Sequence, residues 1–378
     1  MNLRGNVILK LCDKCIGIPV VLTIGILLKI IPRPARVVPP QNILIVKLSA
    51  LGDSILLIPS LRALREAYLH ARIICVCTSI NEVVFKAIPY IDEVITIQVK
   101  KLIINPLYLI NTIWHIRRKK IDIAFDFDQW LRISPLIAAL SGAPRRIGFK
   151  TEGQLRHFAF TTSIEHKKEL HELESFLLIV EAVTGTKSST HLEFPVSSNA
   201  RADVLKMLRL KGYHDKMRVL VIHPGCGTHG WQREWPVERY VELIKKINNK
   251  NICYVLTGST SETALTDFIS KQLSGYTVVP LINLPFPLLA AVLSLSRYVI
   301  SGNTGIMHLA AAVGAACVAL HGPTNPKKWG PYGTQHKIIQ ADIDCAPCLY
   351  LGYEYGCTDN TCMRSINVET VYNQLSDL

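Results

Sequence analysis

The stretch from Ser301 to Gly333 reads SGNTGIMHLAAAVGAACVALHGPTNPKKWGPYG and contains one complete repeat of an α/β fold. An apolar strand ends at Ile300, and Gly302 to Gly305 form a tight turn. Residues 306–313 are rich in Ala, Leu and Met, which favour a helix. Residues 316–320 are apolar and bounded by glycines, as in a buried parallel strand. This order of strand, turn, helix and strand predicts a doubly wound α/β fold.

The turn itself is a candidate anion site. Asn303 and Thr304 are residue types that cap helices, so we expect their side chains to begin the helix. The first N–H groups of the helix then point beyond the strand end, where open α/β sheets bind ligands such as a diphosphate. His308 lies four residues after Thr304 and faces the same side of the helix. The alternative is a capped crossover helix in which His308 is a hydrogen-bonded core residue.

Length and charge limit the classes of function. A chain of 378 residues predicts two domains, and a net charge of +13 suits an acidic partner such as nucleic acid, an anionic membrane or a phosphorylated substrate. The basic residues cluster beside apolar and aromatic stretches instead of forming a continuous stripe, so we do not expect a nucleic-acid partner. The chain has 11 cysteines, and those in apparent strands indicate a reducing compartment.

Residues 1–40 form a segment of their own. The apolar run from Ile16 to Leu28 is flanked by Lys14 and Lys29, and it is shorter than the roughly 20 residues of a membrane-spanning helix. No small-residue cleavage site of a signal peptide follows it. We predict an interfacial or re-entrant anchor at the cytoplasmic face of the inner membrane, joined to the fold by a stiff proline-rich linker that ends at Pro40. A buried helix of the fold and a true span are the alternatives.

A second stretch also suits a membrane surface. Lys100 to Lys120 carries six Lys or Arg residues and no acid, with Trp114 among aliphatic residues. Asn105-Pro106 is typical of a helix start. The helix is either a crossover helix with a solvated basic end or a face that lies against anionic lipid, and the two are compatible.

The first domain, residues 41–190, begins with a strand from Asn42 to Lys47, a loop and a helix from Ser54 to Tyr68. This is the first unit of a nucleotide-binding fold, although the loop lacks the G-x-G-x-x-G pattern. Asp53 ends the loop and is either the N-cap of the helix or a general base. A later strand, Ile121 to Phe127, runs into Asp128-Gln129-Trp130-Leu131-Arg132, where polar groups past a strand end are candidate substrate contacts.

The polar stretch from Lys187 to Arg201 predicts the domain junction, so the second domain covers residues 200–378. A strand at Arg218 to Ile222 leads into the loop HPGCGTHGWQREW, in which Arg233 is a natural cation for a diphosphate. The alternative for Arg233 is an ordinary surface arginine.

The C-terminal tail holds four cysteines with the spacing C-x2-C-x8-C-x4-C. Such a set can bind a structural metal, but free thiols or a labile disulfide fit this spacing better than a zinc motif does. We therefore predict no metal, with these thiols as the weaker alternative: Cys345, Cys348, Cys357 and Cys362.

From about Asn42 to its end, the chain resembles the glycosyltransferase family that contains the ADP-heptose:lipopolysaccharide heptosyltransferases. The pieces that carry the resemblance occur in order over more than 300 residues. They are ILIVKLSALGDSILLIPSLRALR, DFDQWLR with RRIGF, HPG with REWPVERYVEL, GNTGIMHLAAAVGA, HGPTNPKKWGPYG, and CAPC with CMRSI. The resemblance implies the GT-B architecture, with two Rossmann-like domains facing a central cleft.

The resemblance also implies roles for individual residues. Asp53 matches the general base that takes the acceptor proton. The implied donor contacts are Thr228, Arg233, Glu262, Asn303, Thr304, Gly305 and His308. The implied acceptor contacts are Lys47, Ser49, Gly52, Gln129 and Arg132. The implied reaction is an inverting, metal-independent transfer without a cofactor, from a nucleotide-diphospho-sugar such as ADP-heptose to a lipid-linked glycan of the lipopolysaccharide type.

One departure from the family pattern is Asn303, where the family usually has aspartate. An amide can both donate and accept hydrogen bonds but brings no carboxylate to the sugar hydroxyls. The identity of the sugar is therefore open at this point. Two alternatives also stay open: a nucleotide-sugar epimerase on the same architecture, and a non-catalytic sugar- or lipid-binding homologue.

Overall fold

The computed structural model describes residue 11 and residues 13–30, 39–228, 230–351, 357 and 359–375. The chain divides into two compact units, Met1–His191 and Leu192–Leu378. Most of the predicted proline-rich linker, at residues 31–38, lies outside the described residues.

The first unit contains a six-stranded parallel sheet with the order β3-β2-β1-β4-β5-β6. Its strands are β1 Asn42–Val46, β2 Arg72–Thr78, β3 Glu93–Ile97, β4 Ile123–Asp126, β5 Arg145–Lys150 and β6 Thr162–Glu165. Its helices are α1 Gly17–Ile30, α2 Leu51–Leu56, α3 Ile58–Ala67, α4 Glu82–Ala87, α5 Val99–Ile104, α6 Pro106–Arg118, α7 Ile133–Leu140 and α8 Glu172–Thr184, with a 3₁₀ turn at Arg156–Ala159.

The second unit repeats the same topology, with the order β12-β11-β10-β7-β8-β9. Its strands are β7 Arg218–His223, β8 Ile252–Gly258, β9 Thr277–Ile282, β10 Tyr298–Gly302, β11 Ala316–His321 and β12 Lys337–Gln340. Its helices are α9 Ser198–Arg209, α10 Val237–Ile247, α11 Thr263–Lys271, α12 Phe286–Ser294, α13 Gly305–Ala312, α14 Pro326–Trp329, α15 Thr361–Ser365 and α16 Val368–Tyr372, with 3₁₀ turns at Trp231–Arg233 and Thr260–Glu262.

The predicted doubly wound α/β class is confirmed in both units. The central strands are buried on both faces, as the apolar runs of the sequence require. In each sheet the chain reverses its direction of winding between two neighbouring strands, β1 and β4 in the first unit and β7 and β10 in the second. The loops after these strands therefore flank the crevice where doubly wound sheets bind ligands.

One local prediction was wrong, and one of two alternatives is excluded. The helix expected from Ser54 to Tyr68 is two helices, because Pro59 lies in the first turn of α3, where a missing N–H costs nothing, and the chain breaks at Leu57. Asp53 is not an N-cap: Ala50 holds that position, and Asp53 lies in the first turn of α2.

The capping of α13 also differs from the prediction. Thr304 occupies the N-cap position, but its side chain makes no capping hydrogen bond. Its hydroxyl lies 3.2 Å from that of Ser301, and the Asn303 amide donates to the Trp329 carbonyl at 2.7 Å. The Thr304 and Asn303 side chains therefore connect the turn to Ser301 and Trp329 rather than to the helix. By contrast, the predicted start of α6 is confirmed, since Asn105 caps it by accepting from the Tyr108 N–H at 3.0 Å.

The N-terminal helix α1 packs against α7 and the 3₁₀ turn of the first unit. A Cβ atom at Gly25 would lie 2.4 Å from the Phe158 carbonyl oxygen, and one at Gly17 would lie 2.8 Å from the Arg132 Cβ. Because glycine has no Cβ atom, the backbone of α1 can lie in direct contact with Arg132 and Phe158 at these two positions. Among the described residues, no helix has the length and apolar character needed to cross a bilayer.

Candidate functional site

The loops after β1 and β4 bring four polar side chains together in the first unit. The Phe127 N–H donates to the Val46 carbonyl at 3.0 Å, so the chain leaves both strands side by side. Lys47, completely buried, donates to Asp53 Oδ2 and Asp128 Oδ1, each at 3.3 Å. It also donates to the Gln129 Oε1 at 3.3 Å. One buried ammonium thus holds two carboxylates and one amide, which fixes the Asp53 carboxylate at the strand end.

Gln129 connects this group to a second buried pair. Its Nε2 donates to Asp53 Oδ2 at 3.3 Å and to Glu172 Oε1 at 2.7 Å. His166 Nε2 lies 3.0 Å from Glu172 Oε2. Lys47 and Gln129 are hydrogen-bonded to each other and both donate to the same Asp53 oxygen, Oδ2, so together they help to orient this carboxylate.

A further buried ion pair fixes the loop between β4 and α7. Arg156, completely buried, donates to Asp126 Oδ2 at 2.6 Å and to the Leu131 carbonyl at 2.8 Å, and it also contacts the Asp128 carbonyl. Burial raises the pKa of Asp126 to about 7, although the Arg156 guanidinium opposes this shift. The loop between β4 and α7 is therefore fixed by charge-assisted bonds rather than by apolar packing alone.

The other predicted acceptor contacts differ in their surroundings. Arg132 is bound within the protein: its guanidinium donates to Asp13 Oδ2 and Gln154 Oε1, both at 2.9 Å. Ser49 is buried, and its hydroxyl has no hydrogen-bond partner among the described residues. Gly52 lies in the first turn of α2 beside Asp53. The structure thus gathers Lys47 and Gln129 around Asp53, whereas it turns the Arg132 side chain toward α1.

In the second unit, Glu262 ties together the loops after β7 and β8. It accepts from the Gly227 N–H at 2.8 Å through Oε1 and from the Ser259 N–H at 2.7 Å through Oε2. Burial would raise the pKa of Glu262, but the His223 imidazole and these N–H donors outweigh burial, so the pKa is lowered. Burial also lowers the pKa of His223, which is hydrogen-bonded to the Thr257 hydroxyl at 3.0 Å. Glu262 therefore shapes the loop as a carboxylate.

Arg233 joins the loop after β7 to the turn after β10. Its NH1 donates to the Asn303 carbonyl at 2.7 Å, and the side chain is half-buried. Thr304 and Gly305 are also half-buried, and Thr228 is exposed in the neighbouring loop. His308 is buried in α13. A guanidinium and the N-terminus of a helix thus meet at the end of β10, and both are suited to an anion.

Several members of the first-unit cluster were missed by the sequence reasoning. Asp128 was visible only as part of a polar loop, and nothing local marks His166, Glu172 or Arg156. His166 and Glu172 are six residues apart, but the other members are far apart in sequence and approach one another because β4, β5 and β6 are neighbours in the sheet. The repeat Asp126-Phe-Asp128 at a strand end was the one available signal.

The four tail cysteines were the weaker alternative for a metal site. Within the described ranges, which include all four, no group of three or more His, Cys, Asp or Glu residues is arranged to hold a metal ion. Burial and the neighbouring tail cysteines raise the pKa of Cys362.

Several characterised heptosyltransferases are similar to this chain in sequence. It is 21% identical over 337 residues to the lipooligosaccharide heptosyltransferase 2 of Campylobacter jejuni, which covers 87% of this chain and 95% of that protein. It is 32% identical over 124 residues to the lipopolysaccharide heptosyltransferase 1 of Pseudomonas aeruginosa, a match that spans 32% of this chain and 34% of that protein.

Solved structures show the same fold. A glycosyltransferase of family 9 from Veillonella parvula superposes with a TM-score of 0.70 at 22% identity, over 79% of this chain and 85% of that one. The Escherichia coli heptosyltransferase WaaC with ADP superposes with a TM-score of 0.69 at 19% identity, over 89% of this chain and 99% of that one. The profile of glycosyltransferase family 9 (heptosyltransferase) matches residues 111–358. The chain therefore belongs to glycosyltransferase family 9, the heptosyltransferase family.

Proposed function

We propose that this protein transfers a heptose from ADP-heptose to a lipopolysaccharide-type glycolipid at the cytoplasmic face of the inner membrane, with inversion at the anomeric carbon and without a metal ion. The observation that carries the proposal is the Asp53 carboxylate, which Lys47 and Gln129 orient at the end of β1 in a member of this family. Asp53 takes the proton of the acceptor hydroxyl while that oxygen attacks the anomeric carbon.

The second unit supplies the groups suited to the donor. The Arg233 guanidinium and the first N–H groups of α13, at Gly305, approach the end of β10 from two elements. Because the α13 N-cap side chain makes no capping bond, these N–H groups are well placed for the donor diphosphate. Negative charge grows on the leaving diphosphate during transfer, so fixed positive groups lower the barrier.

Asn303 does not weaken this proposal. Its amide donates to the Trp329 carbonyl at 2.7 Å, a bond that an ionised aspartate cannot make. The amide therefore has a structural function that fixes the turn. The solved structures of WaaC include one with ADP and one with ADP-2-deoxy-2-fluoro heptose, and the same donor class is proposed for this chain.

The acceptor is proposed to approach the first unit. The buried Ser49 hydroxyl, which lacks a partner among the described residues, lies in the loop that leads to Asp53 and is a candidate contact for the sugar hydroxyls. Arg132 could contact the acceptor only if its hydrogen bonds to Asp13 and Gln154 were broken. It is therefore a weaker candidate for an acceptor contact than Lys47 and Gln129.

The test is a transfer assay with ADP-heptose and a deacylated, water-soluble lipopolysaccharide core acceptor, read by mass spectrometry. We expect one heptose mass on the acceptor and release of ADP, and we expect Asp53→Asn to slow transfer by about 10²- to 10⁴-fold while ADP binding is retained. Isomerisation of the donor without an acceptor would favour the epimerase, and donor binding without turnover would favour the non-catalytic homologue. Comparable turnover by Asp53→Asn would refute the assignment of the base.

A further inference from the structure

Two helices of the first unit present apolar stripes to the outside. In α6 the stripe is Leu107, Ile110 and Trp114, which are 59% to 70% exposed and follow the i, i+3, i+7 spacing of one helix face. A second stripe consists of Ile16, just before α1, and of Val20, Leu27 and Ile30 in α1, which are 36% to 69% exposed and lie on one face. Single exposed apolar residues are ordinary, but ordered stripes on two helices are not.

The two stripes belong to the same side of the first unit. Both α1 and α6 pack against α7, so the three helices form one layer. Helix α3 instead packs against α8, which lies in the other layer. For the strand order of this sheet, right-handed crossovers place α3 and α6 on opposite faces. The stripes of α1 and α6 therefore face away from the sheet on a common side.

Basic residues border these stripes. Lys100, Lys101, Arg117 and Arg118 are exposed in the segment that contains α6, and that segment has no acidic residue. The Arg118 guanidinium lies 4.6 Å from the centre of the Trp114 ring, an arrangement suited to the level of lipid headgroups.

The α1 stripe has the same charge pattern. Lys14 and Lys29 are exposed at its two ends. The acidic side chain near its start, Asp13, is bound by Arg132 and is mostly buried, so it does not oppose an anionic surface. An apolar centre with a basic border complements an anionic bilayer better than it complements a neutral protein partner.

The attachment of α1 decides how it meets such a bilayer. Its 14 residues span about 21 Å, which is less than the hydrocarbon core of a bilayer. Its opposite face is held against the unit at Gly17 and Gly25, and Val21 between them is buried. The helix therefore lies along the wall of the unit and offers only its outer stripe.

We infer that α1 and α6 form one membrane-docking face, which binds the surface of an anionic bilayer with α1 lying in the plane of the interface. The face comprises the two apolar stripes and their basic borders, and we call it the docking face. The inference deepens the membrane location of the proposed function, since it names the surface that brings the acceptor-side unit to its lipid. It concerns binding to lipid and not the chemistry of transfer.

The test is flotation of the full chain with vesicles of equal parts phosphatidylcholine and phosphatidylglycerol. We expect binding to these vesicles that falls with added salt, and much weaker binding to phosphatidylcholine alone. The triple variant Leu107→Ser, Ile110→Ser, Trp114→Ser should bind at least about tenfold more weakly. The matched control is Leu69→Ser, because Leu69 is 67% exposed but follows α3 on the opposite side. This control should bind like the parent protein.

A second variant, Val20→Ser with Leu27→Ser, tests the contribution of α1 and should also weaken binding about tenfold. Transfer to the water-soluble acceptor should be unchanged in both variants, which shows that they are folded. The inference would be overturned if the parent protein did not bind the vesicles, or if the parent and both variants bound them equally. Loss of a dimer in the variants without a change in vesicle binding would instead assign the face to a second copy of the chain. A parent protein that binds vesicles but transfers no sugar would refute the proposed function alone.

Discussion

Replacing Lys47 by methionine tests whether one buried cation holds the candidate active site together. The Lys47 Nζ lies 3.3 Å from carboxylate oxygens of both Asp53 and Asp128. At an effective dielectric constant of about 20, each of these contacts corresponds to about 5 kcal/mol of Coulomb attraction, which the cost of burying the charges largely offsets. Methionine has nearly the same length but no charge, so the variant leaves two carboxylates buried without their cation. Breaking a buried pair in this way costs about 3–5 kcal/mol of unfolding free energy.

The assay is urea unfolding of the full chain, in which the transition of the first unit is followed and extrapolated to water. The matched control is Lys150→Met. Lys150 also lies 3.3 Å from a carboxylate, that of Glu165, but both side chains are more than half exposed. Solvent screens such a pair, so the control should cost less than about 1 kcal/mol. The comparison therefore contrasts a buried lysine that contacts two carboxylates with an exposed lysine that contacts one carboxylate at the same distance.

A double variant, Lys47→Met with Asp128→Asn, separates charge from packing. Removing one of the two buried carboxylates that Lys47→Met leaves without a cation should recover at least about 1 kcal/mol of unfolding free energy relative to Lys47→Met alone. Transfer should not recover, because Asp53 has still lost the ammonium that orients it. A cost for Lys47→Met no greater than that for Lys150→Met would refute the reasoning.

Three further predictions concern the two units separately. Gln129→Met removes the amide that bonds to Asp53 at 3.3 Å and to Glu172 at 2.7 Å, so transfer should fall at least about tenfold while ADP affinity, measured by calorimetry, stays the same. Arg233→Met should weaken ADP binding by about 10- to 100-fold, because a charge-assisted bond is worth about 1.5–3 kcal/mol. The control Arg201→Met, at an exposed position, should leave ADP binding unchanged. Equal ADP affinities of the two variants would exclude Arg233 from the donor site. Burial lowers the pKa of His321 to about 4, whereas its value in the unfolded chain is near 6.5. The unfolded state therefore takes up a proton first as the pH falls from about 6.5 to about 4, and the free energy of unfolding should fall by about 3 kcal/mol over this window. His321→Gln should remove that loss, and an unchanged pH dependence in the variant would contradict the assignment.

The sequence by itself determined the fold class and predicted which strand ends carry the candidate ligand contacts. Apolar runs bounded by glycine, each followed by a helix-forming stretch, specify parallel strands and crossover helices because hydrophobic periodicity and turn chemistry act over a few residues. In the stretch from Ser301 to Gly333, α13 and β11 begin and end close to the predicted residues. The same local reasoning located Asp53 and Gln129 at strand ends, and the resemblance to a known family added their roles, which stay predictions.

Tertiary structure alone decided which of these residues meet. The bonds from Gln129 to Asp53 and from Arg132 to Asp13 join residues 76 and 119 positions apart, and only the neighbouring order of β1 and β4 and the docking of α1 create them. The family resemblance implied that Arg132 contacts the acceptor, whereas the fold places Asp13 against its guanidinium. Likewise, Asn303 was expected to cap α13, but the Trp329 carbonyl, 26 residues away, accepts its amide hydrogen instead. Long-range hydrogen bonds depend on how the sheet orders its strands, and no short window of sequence contains that order.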